Sequence, residues 1–499
     1  MKMNKIYKSL GLLLALSLFS SCYKDHSVNG DHPLAVVKVT EPIASVQTAT
    51  FGEVTVIKSP AYTITTGASV TPSYEWIVDG VVVSTEKDLS YSPTSYGKHD
   101  ARLRMYTPDG SYFYRFTIDV PYRYVDGLYV LASNDGKTIL SYLPGGEKTD
   151  AFDLDAFGRS NPTIDMTGDP QSMVIYRYVP GAGVSRGYLG IALGLPTRYY
   201  RVSADSLKVL TPRISFTNPV DFSHASGNQA TVKEYFISGA NVWEMERSAN
   251  VPAKKHDKYL SPVAPGYSLA SAIVNWRALT GTRISEGMAF FDNAGSNLLY
   301  MILGSRVTVK KVRTFTASAF PGGAPEETNP FEGMTLIDMK SAGEGNYTYN
   351  YTLLLLKRNS DSKYFVARLT AGDFTQSQSV DGATVSMVEF TEGTPTHLMP
   401  NLGGTAALVA TADKVYFYNM ANATATTHPA WISLPAGQTI ASMALTSDNR
   451  LFIGANGTGT GLVGSIYSYN VAGITPVLLK SEEGITGKIK QIVYRQFNN

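Results

Sequence analysis

The feature that most constrains this chain is a repeat. From Asp126 onward, a short strand rich in Tyr, Phe and Leu is followed by a turn of Gly, Asn or Asp and then by a second aromatic strand, and the pairing recurs. The units are GLYVLASNDGKTILSYL (127–143), GYLGIALGLPTRYYRVS (187–203), EYFISGANVWEMER (234–247), GMAFFDNAGSNLLYMI (287–302), TLLLLKRNSDSKYFVARL (352–369), ALVATADKVYFYNM (407–420) and RLFIGANGTGTGLVGSIYSYN (450–470). These seven units begin 43 to 65 residues apart. Such a period, built on short strands, predicts a β-propeller in which each unit belongs to one four-stranded blade that buries its faces only against its neighbours. An open stack would leave apolar faces uncovered at both ends, whereas a ring covers them and exposes only short edges. The final strand at Lys490 to Arg495, or the first strand after the linker, is expected to complete a shared blade. Six or eight blades fit the spacing nearly as well, and a stack of β-sandwiches is the alternative architecture.

Ahead of the repeat, 33–121 has a different rhythm. AVVKVTEP, TVIKSPAYTIT, YEWIVDGVVVST, ARLRMYTPDG and YFYRFTIDV are strand candidates separated by turn residues at the spacing of a β-sandwich. In Tyr74-Glu75-Trp76-Ile77-Val78-Asp79-Gly80, alternate residues face one side. Trp76 is the expected buried anchor and Asp79-Gly80 the hairpin turn. A second hairpin is expected at Tyr106-Thr107-Pro108-Asp109-Gly110. With 44 Gly and 31 Tyr, and Thr and Val throughout, the composition agrees with an all-β chain rich in tight turns.

The N-terminus assigns an address. MKMNKIYK carries three lysines and no acid, and it precedes LGLLLALSLF, an apolar run too short to span a bilayer. Cys22, the one cysteine of the 499 residues, follows two serines at the expected cleavage point. That is where lipoprotein processing needs a thiol to accept diacylglycerol, and no second cysteine exists to pair with it. The alternative is an ordinary buried thiol beside a cleavable leader. Residues 1–21 are therefore expected to be a lipoprotein signal peptide and 22–32 a lipidated tether, with the sandwich at 33–121 and the propeller at 122–499. Two or three acyl chains at Cys22, at about 0.8 kcal/mol per buried methylene, would hold the chain on a membrane without a spanning helix. Removing Lys2, Lys5 and Lys8 with the leader takes the formal charge from +2 to about −1. No basic field remains to recruit nucleic acid.

Tyr74-x-Trp76-x-x-Asp79-Gly80, then Tyr96-Gly97-Lys98-His99 leading into Leu103-Arg104-Met105-Tyr106 and a Pro108-Asp109-Gly110 turn, resembles the polycystic-kidney-disease (PKD) sandwich. With the Ser21-Cys22-Tyr23-Lys24-Asp25 start and Tyr129-Val130-Leu131, the chain as a whole resembles the PKD-like family of Bacteroidota surface lipoproteins. Lys24-Asp25 is similar to the signal that sends lipoproteins of that phylum to the outer face of the outer membrane. The resemblance covers about the first 145 residues and implies a lipid-anchored outer-membrane protein facing the cell exterior. It further implies a place beside a SusC-type TonB-dependent transporter and its SusD-like lipoprotein lid in nutrient uptake. It carries over no ligand and no binding residue.

Motifs for chemistry are sparse. Gly459-Thr460-Gly461-Leu462-Val463-Gly464 matches a dinucleotide fingerprint by letter, but Ser465-Ile466-Tyr467-Ser468-Tyr469 after it is strand rather than helix, so it is expected to be a hairpin loop. Asp153-Leu154-Asp155 lacks the remaining oxygen ligands of a calcium loop and is expected to be a solvated loop. The histidines at 26, 32, 99, 224, 256, 397 and 428 show no metal-ligand spacing, and no metal or cofactor is expected. Tyr199, Tyr200 and Trp276 are the candidate ligand contacts, Trp276 foremost because it lies in the long segment SAIVNWRALTG, with Trp243 and Trp431 behind them. Their flat apolar faces with a polar handle suit sugar rings or peptides. Core packing between blades is the alternative for each. Three functions follow: a non-catalytic accessory of an importer, binding glycan or oligopeptide or docking on the transporter; a polysaccharide hydrolase or lyase with carboxylates from distant blades; or a structural, adhesive surface protein.

Overall fold

The computed structural model describes residues 34–65, 70–145, 152–178, 186–194, 198–210, 214–215, 219–225, 233–238, 241–246, 254–255, 268–280, 283–302, 308–316, 326–342, 351–370, 384–401, 406–420 and 428–495. The protein is nearly all β, with many small sheets and one short helix, Ala156–Ser160, among the described residues. The chain divides into two compact units, with the boundary between Tyr122 and Arg123.

The smaller unit is built on a five-stranded sheet in the order Val46–Thr48, Gly110–Val120, Gly97–Thr107, Ser73–Val78, Val81–Ser84, with Val46–Thr48 parallel to its neighbour. Two strand pairs accompany it, Val37–Glu41 with Ala61–Ile64 and Thr55–Ile57 with Leu89–Tyr91. TVIKSPAYTIT, a single strand by its sequence, is two here, because Pro60 has no N–H to give to a ladder. Asp79 and Gly80 both take positive φ, 49° and 81°, and close the tight turn between Ser73–Val78 and Val81–Ser84. Trp76 is fully buried among Val78, Leu103, Met105, Phe116 and Ile118, and its indole Nε1 donates to the Glu86 carbonyl at 2.9 Å.

His99 is a buried titratable group beside this core. Its Nδ1 lies 2.6 Å from Asp79 Oδ2 and its Nε2 lies 3.1 Å from the Ser95 carbonyl. Both partners are acceptors, so the ring is complete only as imidazolium. Burial alone would lower its pKa, but the hydrogen bonds to Asp79 and Ser95 outweigh burial and raise it above the ordinary value. A raised folded-state pKa stabilises fully below the unfolded value near 6.5, and the contribution disappears as pH rises through the folded-state value. Hydrogen exchange of the Ser73–Val78 amides, corrected for intrinsic rates, should show protection falling as pH rises above about 6.5. His99→Asn should abolish that slope.

In the larger unit, every repeat seen in the sequence forms two adjacent strands of one sheet. The second sheet runs Asp169–Tyr178, Arg186–Gly194, Arg198–Ser203, Ile214–Ser215. The third runs Pro219–Ala225, Lys233–Ser238, Asn241–Glu246, Lys254–Lys255, and the fourth Leu269–Thr280, Arg283–Asp292, Asn297–Ile302, Thr308–Lys311. The fifth is Met334–Ala342, Tyr351–Arg358, Tyr364–Thr370, Thr384–Phe390, and the sixth His397–Pro400, Ala406–Ala410, Lys414–Asn419, Ile432–Ser433. The seventh is Thr439–Leu445, Arg450–Asn456, Gly464–Asn470, Val477–Thr486. The first sheet joins the two ends of the unit: Lys488–Arg495 pairs antiparallel with Gly127–Asn134, which pairs with Lys137–Pro144. The leading strands of successive sheets are neighbours, and Lys488–Arg495 neighbours the leading strands of both the second and the seventh sheet, so their order is cyclic.

Apolar clusters fill the described interfaces, such as Leu353, Leu355, Phe390, Val409 and Tyr418 between the fifth and sixth sheets. A polar device repeats at the inner strands. Bulges fall before Asp338 and Ser442 and beside Gln491. From these positions Asp338 accepts the Leu398 N–H (2.9 Å), Ser442 the Ile492 N–H (3.1 Å) and Gln491 the Met173 N–H (2.7 Å). Each side chain accepts a backbone N–H from the leading strand or closing strand of the next sheet, which ties neighbouring sheets together.

Candidate functional site

The sequence candidates divide on burial. Tyr199 and Tyr200 lie in Arg198–Ser203, a strand covered on both faces, so neither presents a ring to a surface ligand. Tyr200 packs on Phe157 at 5.7 Å and donates to the Asp165 carbonyl, while the Tyr199 hydroxyl occupies the space where Gly190 lacks a side chain. Their expected role as ligand contacts is corrected to core packing. Trp276 lies within the strand Leu269–Thr280, opposite Gly287, rather than in a connection, and its side chain, like those of Trp243 and Arg277, lies outside the described residues. Cys22 also lies outside them. The Gly459 to Gly464 motif is a hairpin connection into the strand Gly464–Asn470. Asp153 is not solvated: it is buried, bridged through its backbone to Tyr142, and its carboxylate meets Arg159 at 3.1 Å and Arg123 at 3.6 Å. Asp155 N-caps the short helix, accepting the Gly158 N–H at 2.9 Å.

Trp431 stands in a more open setting. Lys414–Asn419 alternates so that Phe417 and Asn419 point outward. The Trp431 N–H donates to the Val415 carbonyl at 2.8 Å, which sets the indole beside Phe417 with ring centroids 5.3 Å apart. Its Nε1 reaches across to the seventh sheet and donates to the Ile474 carbonyl at 2.7 Å. Ile474 itself is 96% exposed, and Val477, Leu478 and Leu479 beyond it remain about half exposed along the outermost strand of that sheet. The result is an apolar surface on the sixth and seventh sheets, half aromatic and half aliphatic, ending at a strand edge that is unpaired among the described residues. Sequence reasoning named Trp431 but missed Phe417 and the aliphatic run, although the strand-end position of VLL after a Pro-containing turn was a usable signal.

One titratable cluster escaped the sequence entirely. Glu392 accepts hydrogen bonds from the Tyr418 hydroxyl, the His428 N–H (2.9 Å) and the Thr391 N–H (3.0 Å), while the His428 ring lies 3.9 Å from that of Tyr418. Burial would raise the Glu392 pKa, but these donors outweigh it and hold the carboxyl below its usual range; burial and Glu392 push Tyr418 up. The carboxylate, held by these donors, and the phenol bonded to it form a clamp on the connection into the sixth sheet. At the inner strands, His397 is half-buried and its pKa is lowered, first by burial. Nearby Asp338 is committed to the Leu398 and Met339 N–H groups and to Lys340 at 3.3 Å.

Among the described residues, no group of three or more His, Cys, Asp or Glu is placed to hold a metal ion, and no helix is long and apolar enough to cross a membrane. No protein-family model matches the chain, and no curated protein matches it. Solved structures do show likenesses. A quinoprotein alcohol dehydrogenase-like protein from Bacteroides thetaiotaomicron aligns at 14% identity and TM-score 0.46, over 92% of this chain and 99% of that one. A DUF4784 family protein from Bacteroides caccae aligns at 9% identity and TM-score 0.32, over 93% and 100%. Apo AztD from Citrobacter koseri aligns at 10% and 0.35, over 85% and 98%. At these scores the likenesses carry no functional information.

Proposed function

We propose that this protein is a lipid-anchored outer-membrane surface protein that serves a SusC/SusD-type importer without catalysing a reaction. In this reading Cys22 carries the lipid, 33–121 is a PKD-like sandwich acting as a stalk, and 122–499 is a seven-bladed β-propeller acting as a head. The cyclic order of the inner strands supports the propeller. The observation that carries the function is the exposed surface of Phe417, Trp431, Ile474 and Val477 to Leu479. Its aliphatic half and strand edge favour docking on a protein, here the transporter or its lid, over stacking on a sugar.

Affinity purification of a tagged chain from gently solubilised outer membranes tests it. The TonB-dependent transporter and the SusD-like lid should come with the native protein in stoichiometric amount. A variant carrying Phe417→Ser, Ile474→Asp and Leu478→Lys should retain roughly a tenth of them or less, since central apolar contacts at interfaces are worth about 2 kcal/mol or more each. A chain recovered alone would end the importer reading.

A further inference from the structure

The outward face of the five-stranded sheet in the smaller unit carries an arrangement that a sheet does not adopt for stability. Ala101, Leu103, Met105, Phe116, Ile118 and Val120 face the core, so the alternate residues of the two longest strands face out. The register places Arg102 directly opposite Arg115, with Arg104 opposite Phe113 in the next outward row. Like charges in directly opposite positions destabilise a ladder.

The neighbouring acids leave that pair incompletely neutralised. Arg104 is engaged: it meets Glu75 at 3.3 Å and Ser111 at 3.2 Å, and it lies over the rings of Tyr106 and Phe113. Arg102 reaches Asp100 only at 3.8 Å, and its Nε is shielded from solvent with no hydrogen-bond partner. Lys98 stands opposite Asp119. Arg115 is exposed and has no acceptor among the described residues. One guanidinium is therefore in excess, beside another with an unmet donor, and two residues along the same strand Phe113 leaves 54% of its surface open.

We propose that this face binds an anionic polysaccharide, with a carboxylate or sulfate held between Arg102 and Arg115 and the sugar ring lying on Phe113. The guanidinium fork matches either oxyanion in a bidentate fashion, and an anion between the two arginines would relieve their repulsion. The aromatic ring gives a sugar an apolar platform that a small inorganic anion would not need. The site is separate from the apolar surface of the larger unit, and the inference does not rest on the importer reading.

Calorimetric titration of the full chain with polygalacturonate, dextran sulfate and neutral dextran tests it. At least one polyanion should bind, more weakly at higher salt, and neutral dextran should not; which polyanion binds identifies the oxyanion. Arg115→Ala and Phe113→Ala should each weaken that binding tenfold or more. Arg115→Thr should lose it while raising the thermal midpoint of the unliganded chain, which separates a lost site from a lost fold. The proposal fails if neither polyanion binds, if Arg115→Ala binds as tightly as the native chain, if Phe113→Ala leaves affinity unchanged, or if only phosphatidylglycerol vesicles bind.

Discussion

Arg495→Ala should destabilise the larger unit by about 3–5 kcal/mol, the cost of stripping one partner from a buried ion pair. Arg495 ends the strand that closes the cycle of sheets, and its guanidinium meets Asp205 at 2.5 Å with both side chains about 5% exposed or less. A second nitrogen donates to the Tyr124 carbonyl at 3.0 Å. The Tyr129 hydroxyl beside it lies 2.7 Å from the same carbonyl and 2.6 Å from that of Ala204, and its one proton serves either. One arginine thus ties the last strand to the start of the unit and to the connection after the third strand of the second sheet. Burial works against its charge, but Tyr129 and Asp205 outweigh that and raise its pKa. Truncation strands Asp205 as a buried, unpaired carboxylate. Urea unfolding should therefore show a large loss for Arg495→Ala, whereas Arg495→Met combined with Asp205→Leu should recover most of it, because apolar replacement of both partners is often neutral or better. A double variant as unstable as the single one would mean that the hydrogen bonds to Tyr124, and not the stranded charge, dominate.

What the sequence made legible follows from which interactions are local. The seven aromatic strand pairs were readable because each is a hairpin: Asp135-Gly136, for example, supplies the two positive φ values that a tight turn between Gly127–Asn134 and Lys137–Pro144 requires. The inner strands were not readable, since their bulges and the caps from Asp338, Ser442 and Gln491 join residues far apart in sequence that show no period. The same limit explains Tyr199 and Tyr200. Tyrosine on a strand reads alike whether its ring faces solvent or a neighbouring sheet, and only the sheet-to-sheet packing decides. Glu392, Tyr418 and His428 come together from the connection into the sixth sheet, its third strand and the segment before its fourth, and no spacing announces such a convergence. The Arg102 and Arg115 pair is intermediate: alternation alone puts both on the outer face, but only the register of the hairpin sets them opposite each other.

Trp76→Ala should cost the smaller unit about 3–5 kcal/mol, the range for truncating a large buried aromatic. The indole has no exposed surface, meets Phe116 edge-on at 6.1 Å and is fixed by its Nε1 bond to Glu86. A single small unit has little to set against such a loss, since stabilities near 0.1 kcal/mol per residue give a unit of this size of order 10 kcal/mol in all. No cysteine pair joins its sheets, so packing alone resists the cavity. Hydrogen exchange of the Gly97–Thr107 amides measures the effect directly, because that strand flanks the cavity and should open only with the whole unit. Protection should fall by two to four orders of magnitude, the equivalent of about 3–5 kcal/mol. Trp76→Phe, which keeps an aromatic ring but loses the donor to Glu86, should fall between the native and alanine forms. If the alanine variant lost less than tenfold, the indole would be filling a cavity that collapses readily, and Leu103, Phe116 and Ile118 would hold the smaller unit without it.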